Sequence, residues 1–574
     1  MTSRTPRLRL LVAAVLGVGA VLLAAAPASA HAVLESTEPV SSTAVANPPD
    51  RVVLHFSESV QIPLGSIRVF ASPSGKQVET GPAAKPDGLS NAVAVKLPKL
   101  DKGNYIVTWR VTSADSHPVH GAFTFTVGSK GSAADAALVQ KLLSSGGGDT
   151  VVGAVYAVIR FVAFASLVLL VGGFAFVALI WPAGAALART RQILWAAWVT
   201  AMVTTVVGIP VQAVYAAGLP ISKVLSSTVR SGMLDDRFGQ VWGARVVLLG
   251  LFAAVLAFVF RSTSETERRL PQGLLAAGGV VGVGLLATPG LAGHAATQDL
   301  VPLAIVSDIV HVAAVSVWLG GLTLLAAAVL PRRVADELAV VVPHFSRVAF
   351  GAVITILVTG TFQGWREVRS TAALTETTYG RLLIVKVALF AVLVALGALS
   401  RRCVQARYRV PARQLSFGPG TDTADPDPDT VGRLRRTVGA ETVIAIAVLA
   451  VTALLVNAQP ARSALAKPFS AEMRSDMVWV DVTVDPAKAG PAAIHLYTLS
   501  PQGGGQQEVQ DLTATLTLPS QDVGPLSIPV QRAGPGHFSA YGFTIPLRGE
   551  WTLEVKALLS DIDEATVSTT VPVK

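Results

Sequence analysis

In a chain of 574 residues, 51% hydrophobic and 14% charged with a mean hydropathy of +0.54, a single water-soluble domain is excluded. The formal charge of +9 lies largely in short loops between apolar runs, so it reads as membrane-topology signal and not as a nucleic-acid footprint. The lone cysteine, Cys403, follows an apolar run beside Arg401 and Arg402, which excludes an internal disulfide and suggests a membrane-flanking thiol without a catalytic partner.

Residues 1–30 carry Arg4, Arg7 and Arg9, an apolar core from Leu10 to Ala26, and Ala28-Ser29-Ala30. This is the pattern of a secretory signal peptide cut before His31, with an uncleaved first anchor as the alternative. From 31 to 128 the pattern becomes short β-branched and aromatic runs, Val52–Phe56, Ser66–Phe70, Ala92–Val95, Tyr105–Trp109 and Ala122–Val127, separated by Pro, Gly, Asn and Asp. These predict an all-β domain, a cupredoxin-like or Greek-key sandwich. A polar, glycine-rich linker is expected over 129–150.

Eight apolar spans follow, near 152–181, 194–219, 241–260, 273–290, 302–330, 348–364, 382–400 and 439–456. Each is long enough for a hydrocarbon core of about 30 Å, so 151–458 reads as an all-α, eight-helix transmembrane bundle. One set of loops holds Arg189, Arg191, Arg261, Arg268, Arg269, Arg332 and Arg333 and the arginine-rich stretch after Ser400; the alternate loops are poorer in basic residues. That bias predicts both ends of the mature chain outside the cytoplasm. The stretch 411–430, with Asp422, Asp425, Asp427 and Asp429, reads as a disordered cytoplasmic loop. Alternation returns at Met477–Val484 and Trp551–Val555, predicting a second extracytoplasmic β-sandwich over 465–574. The whole is a multidomain membrane protein of the cytoplasmic membrane.

Ser113–Gly121 gathers the ligand-type residues Asp115, His117 and His120. Cu(II) favours nitrogen and oxygen donors in tetragonal geometry, and cleavage before His31 would give a terminal residue offering both its amine and its ring nitrogen. On a strand Asp115 and His117 leave the same face, whereas His120 has opposite parity, so His120 ranks below them. In the membrane part, charged or imidazole groups are expensive and usually functional. Asp308 and His311 lie three apart on one helical face, and Trp318 continues it. His311 falls roughly 14 Å from Pro302 at about 1.5 Å per residue, with His294 in the loop before the span. A metal entry route through His294, Asp308 and His311 is one reading; pairing that merely pins helices is the other. His344 lies on the inner side, Lys386 is placed to snorkel, and Glu441 reads as a helix-start charge. His495 and His537 show no ligand spacing, and Met473 and Met477 read as core or linker.

His31-Ala32, Ser36-Thr37-Glu38-Pro39, Leu54-His55-Phe56-Ser57-Glu58 and Trp109 to Val119 resemble the CopC family of copper-binding proteins over 31–128. That resemblance implies Cu(II) held by His31 with its amine, Asp115 and His117, and leaves His120 as an optional extra ligand or loading residue. Some CopC proteins add a methionine-rich Cu(I) site; here no Met occurs between His31 and Ala201, so that site is expected to be absent. His311 through Leu322, Phe345-Ser346-Arg347, Tyr379 to Lys386 and Arg401-Arg402 resemble the CopD family of membrane copper proteins over 151–458, and 465–574 resembles the YtkA-like β-domain.

The expected function is copper uptake or homeostasis: Cu(II) captured outside and passed through the membrane domain, where Cu(I) is the candidate form. No Walker-type loop and no Asp-Lys-Thr-Gly motif occurs, so transport is not ATP-driven by this chain alone. Copper sequestration without transport, and less favourably a histidine-brace copper oxidase, are the alternatives; no enzymatic activity is expected. The expected partners are copper ions, the lipid bilayer and an extracytoplasmic copper chaperone or reductase, with no nucleic acid.

Overall fold

The computed structural model describes residues 32, 34–39, 43–56, 58–63, 66–113, 118–128, 149–227, 229, 233–234, 237–262, 271–293, 300–368, 371–408, 428–458, 461, 469–501, 507–534 and 536–574. The expected leader, most of the 129–150 linker and most of the 411–430 loop lie outside these.

The N-terminal β-domain has two facing sheets. One contains β1 (Leu34–Glu38), β3 (Arg51–Phe56), β6 (Thr80–Ala84) and β7 (Ala92–Lys96) in the order β1-β3-β7-β6. The other contains β2 (Thr43–Val45), β4 (Ile67–Ser72), β5 (Lys76–Gln77), β8 (Gly103–Thr112) and β9 (Pro118–Val127) in the order β2-β9-β8-β4-β5. The inward residues are the β-branched and aromatic positions that the alternation picks out, with Val52, Leu54, Phe56, Val69, Val107 and Phe125 all buried. Trp109 meets Phe56 edge to face at 5.4 Å. Its indole lies against Gly121 of β9, where a Cβ would come within 2.6 Å of the ring, so only glycine lets the hairpin close over it.

Among the described residues eight helices are long and apolar enough to cross a membrane. They are α1 (Thr150–Leu179), α2 (Ala188–Ala217), α3 (Arg237–Ser262), α4 (Gln272–Leu291), α5 (Val301–Leu324), α6 (Ala335–Val368), α7 (Thr378–Tyr408) and α8 (Pro428–Asn457). The Asp149 side chain caps α1 by accepting the Val151 N–H at 2.8 Å. Helices α1 and α5 are the most buried and α7 the least, so α1 and α5 form the centre of the bundle. They cross where Gly172 faces Ser316 and Gly320; the small residues let the two backbones touch.

Two local expectations change. Helix α6 starts at Ala335, well before the expected span at 348, so Pro343 and His344 lie inside it. Helix α8 starts at Pro428, and Glu441 is therefore an interior residue and not a helix-start charge; it is buried and accepts a hydrogen bond from Ser400 Oγ at 2.6 Å.

The C-terminal domain is again two facing sheets. One contains β10 (Phe469–Arg474), β11 (Trp479–Asp485), β12 (Gly490–Leu499), β15 (Gln531–Gly534) and β16 (His537–Ile545) in the order β10-β11-β12-β16-β15. The other contains β13 (Asp511–Leu518), β14 (Val523–Ile528), β17 (Gly549–Leu558) and β18 (Glu564–Val573) in the order β14-β13-β17-β18. Trp551, Ile494, Leu496, Leu553 and Val555 fill the space between them. Met473 belongs to this core, whereas Met477 is exposed, so the two thioethers do not share a site.

Both β-domains touch the same end of the bundle. Arg110 of β8 reaches the last turn of α2, and Lys574 pairs at 3.2 Å with Glu376, in the connection between α6 and α7.

Candidate metal centres

The first candidate centre sits at the tip of the β8–β9 hairpin. The ladder runs from Gly103↔Val127 to Thr112↔Pro118, and the residues that join the two strands include Asp115 and His117. Those two, with His31 and His294, lie outside the described residues. The flanking residues are firmly held. Ala32 is buried in the apolar core of the domain, and Thr112 and Ser113 are buried at the end of β8. The position adjacent to residue 31 is thus anchored in the β-domain.

His120 is described, and it stands directly opposite Arg110 across the hairpin. His120 is surface-exposed, yet partial desolvation, followed by the Arg110 charge, pushes its pKa below the usual imidazole range. A neutral imidazole keeps a lone pair for a metal, which suits the loading role foreseen for it.

The second candidate centre is a polar layer between α5, α6 and α7, in the half of the bundle nearer the β-domains. His311 lies about 15 Å along α5 from its start at Val301. Its Nδ1 is 2.8 Å from Thr359 Oγ1 of α6. The Thr359 hydroxyl donates to the Thr355 carbonyl at 2.6 Å, so its proton is committed and its lone pair faces His311. In that arrangement Nδ1 is the protonated ring nitrogen, and Nε2 carries the bare lone pair that a metal requires. One turn along α5, Asp308 interacts electrostatically with Lys386 of α7 and Arg366 of α6. Lys386 thus faces the cluster, where the sequence suggested snorkelling to the interface. Arg366 and Glu367, both buried, form an ion pair at 3.4 Å above it. Ser307 Oγ and Gln363 Nε2 are buried with no hydrogen-bond partner among the described residues.

Among the described residues no three of His, Cys, Asp and Glu come together in a ready-made metal cage. Sequence reasoning singled out Asp308 and His311 and passed over their neighbours Thr359, Gln363, Arg366 and Glu367. The available signal was a polar stripe at helical spacing, Thr355-Thr359-Gln363-Arg366, in an otherwise apolar helix. At the far end of α5 a cavity of about 170 Å³ is lined by Trp318, Phe345, Ser346, Arg401 and Glu441. There Arg401 donates to the Ser346 carbonyl at 2.7 Å.

Comparison with known proteins matches the first β-domain and two portions of the membrane bundle. The CopC domain family matches residues 34–128, the copper resistance protein D-like N-terminal domain matches 150–301, and the copper resistance protein D family matches 339–455. The copper transport protein CutJ of Bacillus subtilis (strain 168) is 25% identical over 555 residues, covering 94% of this chain and 95% of that protein. Copper resistance protein C of Escherichia coli is 32% identical over 123 residues, 20% of this chain and 94% of that protein. The crystal structure of CopC from Methylosinus trichosporium OB3b is 33% identical, covers 17% of this chain and 93% of that one, and superposes with a TM-score of 0.16. Joining a CopC β-domain to both portions of a copper resistance protein D membrane domain, the chain is a multi-pass membrane protein of the CopC–CopD family of copper transport and resistance proteins.

Proposed function

We propose that this protein captures Cu(II) outside the cytoplasm and passes copper inward through the membrane bundle. His31, Asp115 and His117 receive the ion, with His120 as a loading residue. His294, Asp308 and His311 form the outer part of the path. The chain acts as a carrier of its metal and not as a catalyst, and an external reductant supplies the electron where copper enters the bundle as Cu(I).

The observation that carries this reading is the His311–Thr359 pair: a committed threonine hydroxyl leaves Nε2 of an intramembrane imidazole as a free donor. Orientation is supported by the arginine bias of the loops and by the meeting of both β-domains with one end of the bundle. Imidazole is a ligand that copper accepts in either oxidation state, whereas the carboxylates favour Cu(II).

The test compares cellular copper at limiting external copper in cells carrying the wild-type chain, His311→Ala and His311→Gln. Both variants should accumulate several-fold less copper while keeping Cu(II) binding by the β-domain. Equal accumulation in all three would sink the path through His311.

A further inference from the structure

Two histidines with no role in the path come together in the C-terminal domain. His495 lies on β12 and His537 opens β16, 42 residues apart in sequence. The register pairs Tyr497 with His537 and His495 with Ser539, so the two imidazoles are diagonal neighbours on one face of the sheet. His495 Nδ1 stands 3.2 Å from His537 Nε2. Tyr497 stacks on the His537 ring at 4.3 Å and 9°. The start of β16 is fixed by buried Thr498, whose N–H donates to the Gly536 carbonyl at 2.8 Å and whose hydroxyl donates to the Gln507 carbonyl at 2.6 Å.

The pair is built like a ligand site more than like an ordinary strand tie. His537 is 7% exposed, and its Nδ1 is buried with no hydrogen-bond partner among the described residues. Leaving a buried imidazole nitrogen unpaired is costly, and one hydrogen bond between the rings recovers only part of that cost. Burial, and then the neighbouring His495, push the His537 pKa down to about 4, while burial lowers that of His495. Both rings are therefore neutral at physiological pH, and a metal enters between them once the shared proton shifts to the outer nitrogen of its own ring, with no proton released.

The geometry also selects the ion. Metal–imidazole bonds run about 2.0–2.1 Å, so two nitrogens 3.2 Å apart bracket one ion at a bent angle of roughly 100°. No carboxylate or thiolate joins the pair among the described residues. Zinc sites are almost always four-coordinate and Cu(II) wants a tetragonal set. A divalent charge on two neutral, half-buried donors would also lack compensation. A monovalent d¹⁰ ion brings one unit of charge and is content with three donors, the two imidazoles at this bent angle and a water.

We propose that His495 and His537 form a Cu(I)-binding site on the C-terminal β-domain, in which the ion takes the place of the proton between the two rings. This site is separate from the membrane path and stands or falls without it.

The test is anaerobic titration of the full-length detergent-solubilised chain with Cu(I) against a chromophoric chelator, wild type beside the double variant His495→Gln/His537→Gln. The double variant should lose one Cu(I) equivalent per chain and keep its Cu(II) equivalent. Unchanged Cu(I) stoichiometry would mean that the pair only ties two strands together, which overturns the proposal. A second measurement leaves the C-terminal domain intact. A chain with His31→Ala, Asp115→Ala, His117→Ala and His311→Ala is loaded with one Cu(I) and read by X-ray absorption. Retained Cu(I) with two nitrogen neighbours is expected, and failure to retain copper refutes the site.

Discussion

Arg110 Nε, in the β8 strand of the N-terminal domain, donates to the backbone carbonyl of Ala216 at the end of α2, 2.6 Å away. A second guanidinium nitrogen reaches the Tyr215 carbonyl at 3.0 Å. These are last-turn carbonyls of a helix, where four acceptors lack intrahelical partners and the dipole is negative. Gly218 ends the helix in the left-handed region at φ 66°, and a Cβ there would come within 3.1 Å of the guanidinium. The docking is thus specific to arginine on one side and to glycine on the other. Burial lowers the Arg110 pKa, but a guanidinium stays charged at any physiological pH.

Replacing Arg110 with Met keeps the stem and deletes the donors. Charge-assisted hydrogen bonds of this kind contribute about 1.5–3 kcal/mol each, so the β-domain should detach from α2 for a measurable share of the time. Spin labels placed at Lys96 and Lys223 would report this as a broader distance distribution in Arg110→Met than in the wild-type background. Copper accumulation should fall with it, because a detached receiver no longer sits over the path. An unchanged distribution would show that other contacts hold the domain.

The tautomer argument at His311 has its own consequence. Thr359→Val keeps the shape of the side chain but removes the acceptor for Nδ1–H. The ring then gains by moving its proton to Nε2, and the donor facing the path is lost. Outer partners of this kind typically alter metal affinity by about 10–100-fold. Copper uptake should therefore need a correspondingly higher external concentration for half-saturation, whereas Thr359→Ser should behave as wild type. A Thr359→Val transporter with normal half-saturation would remove the tautomer from the mechanism.

In the C-terminal domain, Asp481 on β11 stands directly across from Glu472 on β10. Burial first, then the Glu472 charge, raise its pKa to about 6, with Arg474 offsetting part of the rise. A carboxyl whose folded pKa lies above its unfolded value favours the fold below about pH 4, and that contribution is lost as pH rises through about 6. Asp481→Asn cannot ionise. It should therefore stabilise the domain by about 1–2 kcal/mol at pH 7 and leave stability at pH 4 unchanged. Hydrogen exchange of peptides from β10 to β12, compared with wild type at each pH, would measure the difference; equal exchange at pH 7 would contradict it.

The sequence was most legible where structure follows a local period. The β-branched alternation of Val52–Phe56 and Tyr105–Trp109 and the long apolar runs correspond to strands and helices, because burial on one face or in lipid imposes those patterns. The starts of α6 and α8 were hidden because polar and proline-containing turns extend both helices beyond their apolar spans. Asp308 and His311 stood out as costly polar groups in an apolar helix. Thr359 did not, since a helical threonine ordinarily satisfies itself on its own backbone, and only packing reveals the second bond it accepts. His495 and His537 were illegible for a different reason. Their meeting depends on the register between β12 and β16, which no local spacing encodes.

The tightest requirement in the membrane domain lies at the crossing of α1 and α5. A Cβ added at Gly172 would stand 1.8 Å from the Ser316 carbonyl oxygen and 3.2 Å from the Gly320 Cα. Both obstacles are backbone, so no rotamer change can relieve the overlap and the two most buried helices of the bundle must move apart. Gly172→Ala should therefore cost about 3 kcal/mol or more. It should also disturb the polar layer, because α5 carries His311 only five residues before Ser316. Gly250, in the middle of α3, is the contrasting case: nothing lies within 4 Å of its added Cβ. Gly250→Ala should gain rather than lose, by up to about 1 kcal/mol of helix propensity. Thermal unfolding of the two purified variants in the same detergent separates them. Gly172→Ala should melt well below the wild type and Gly250→Ala at or above it, and a Gly172→Ala protein as stable as the wild type would show that the crossing is loose.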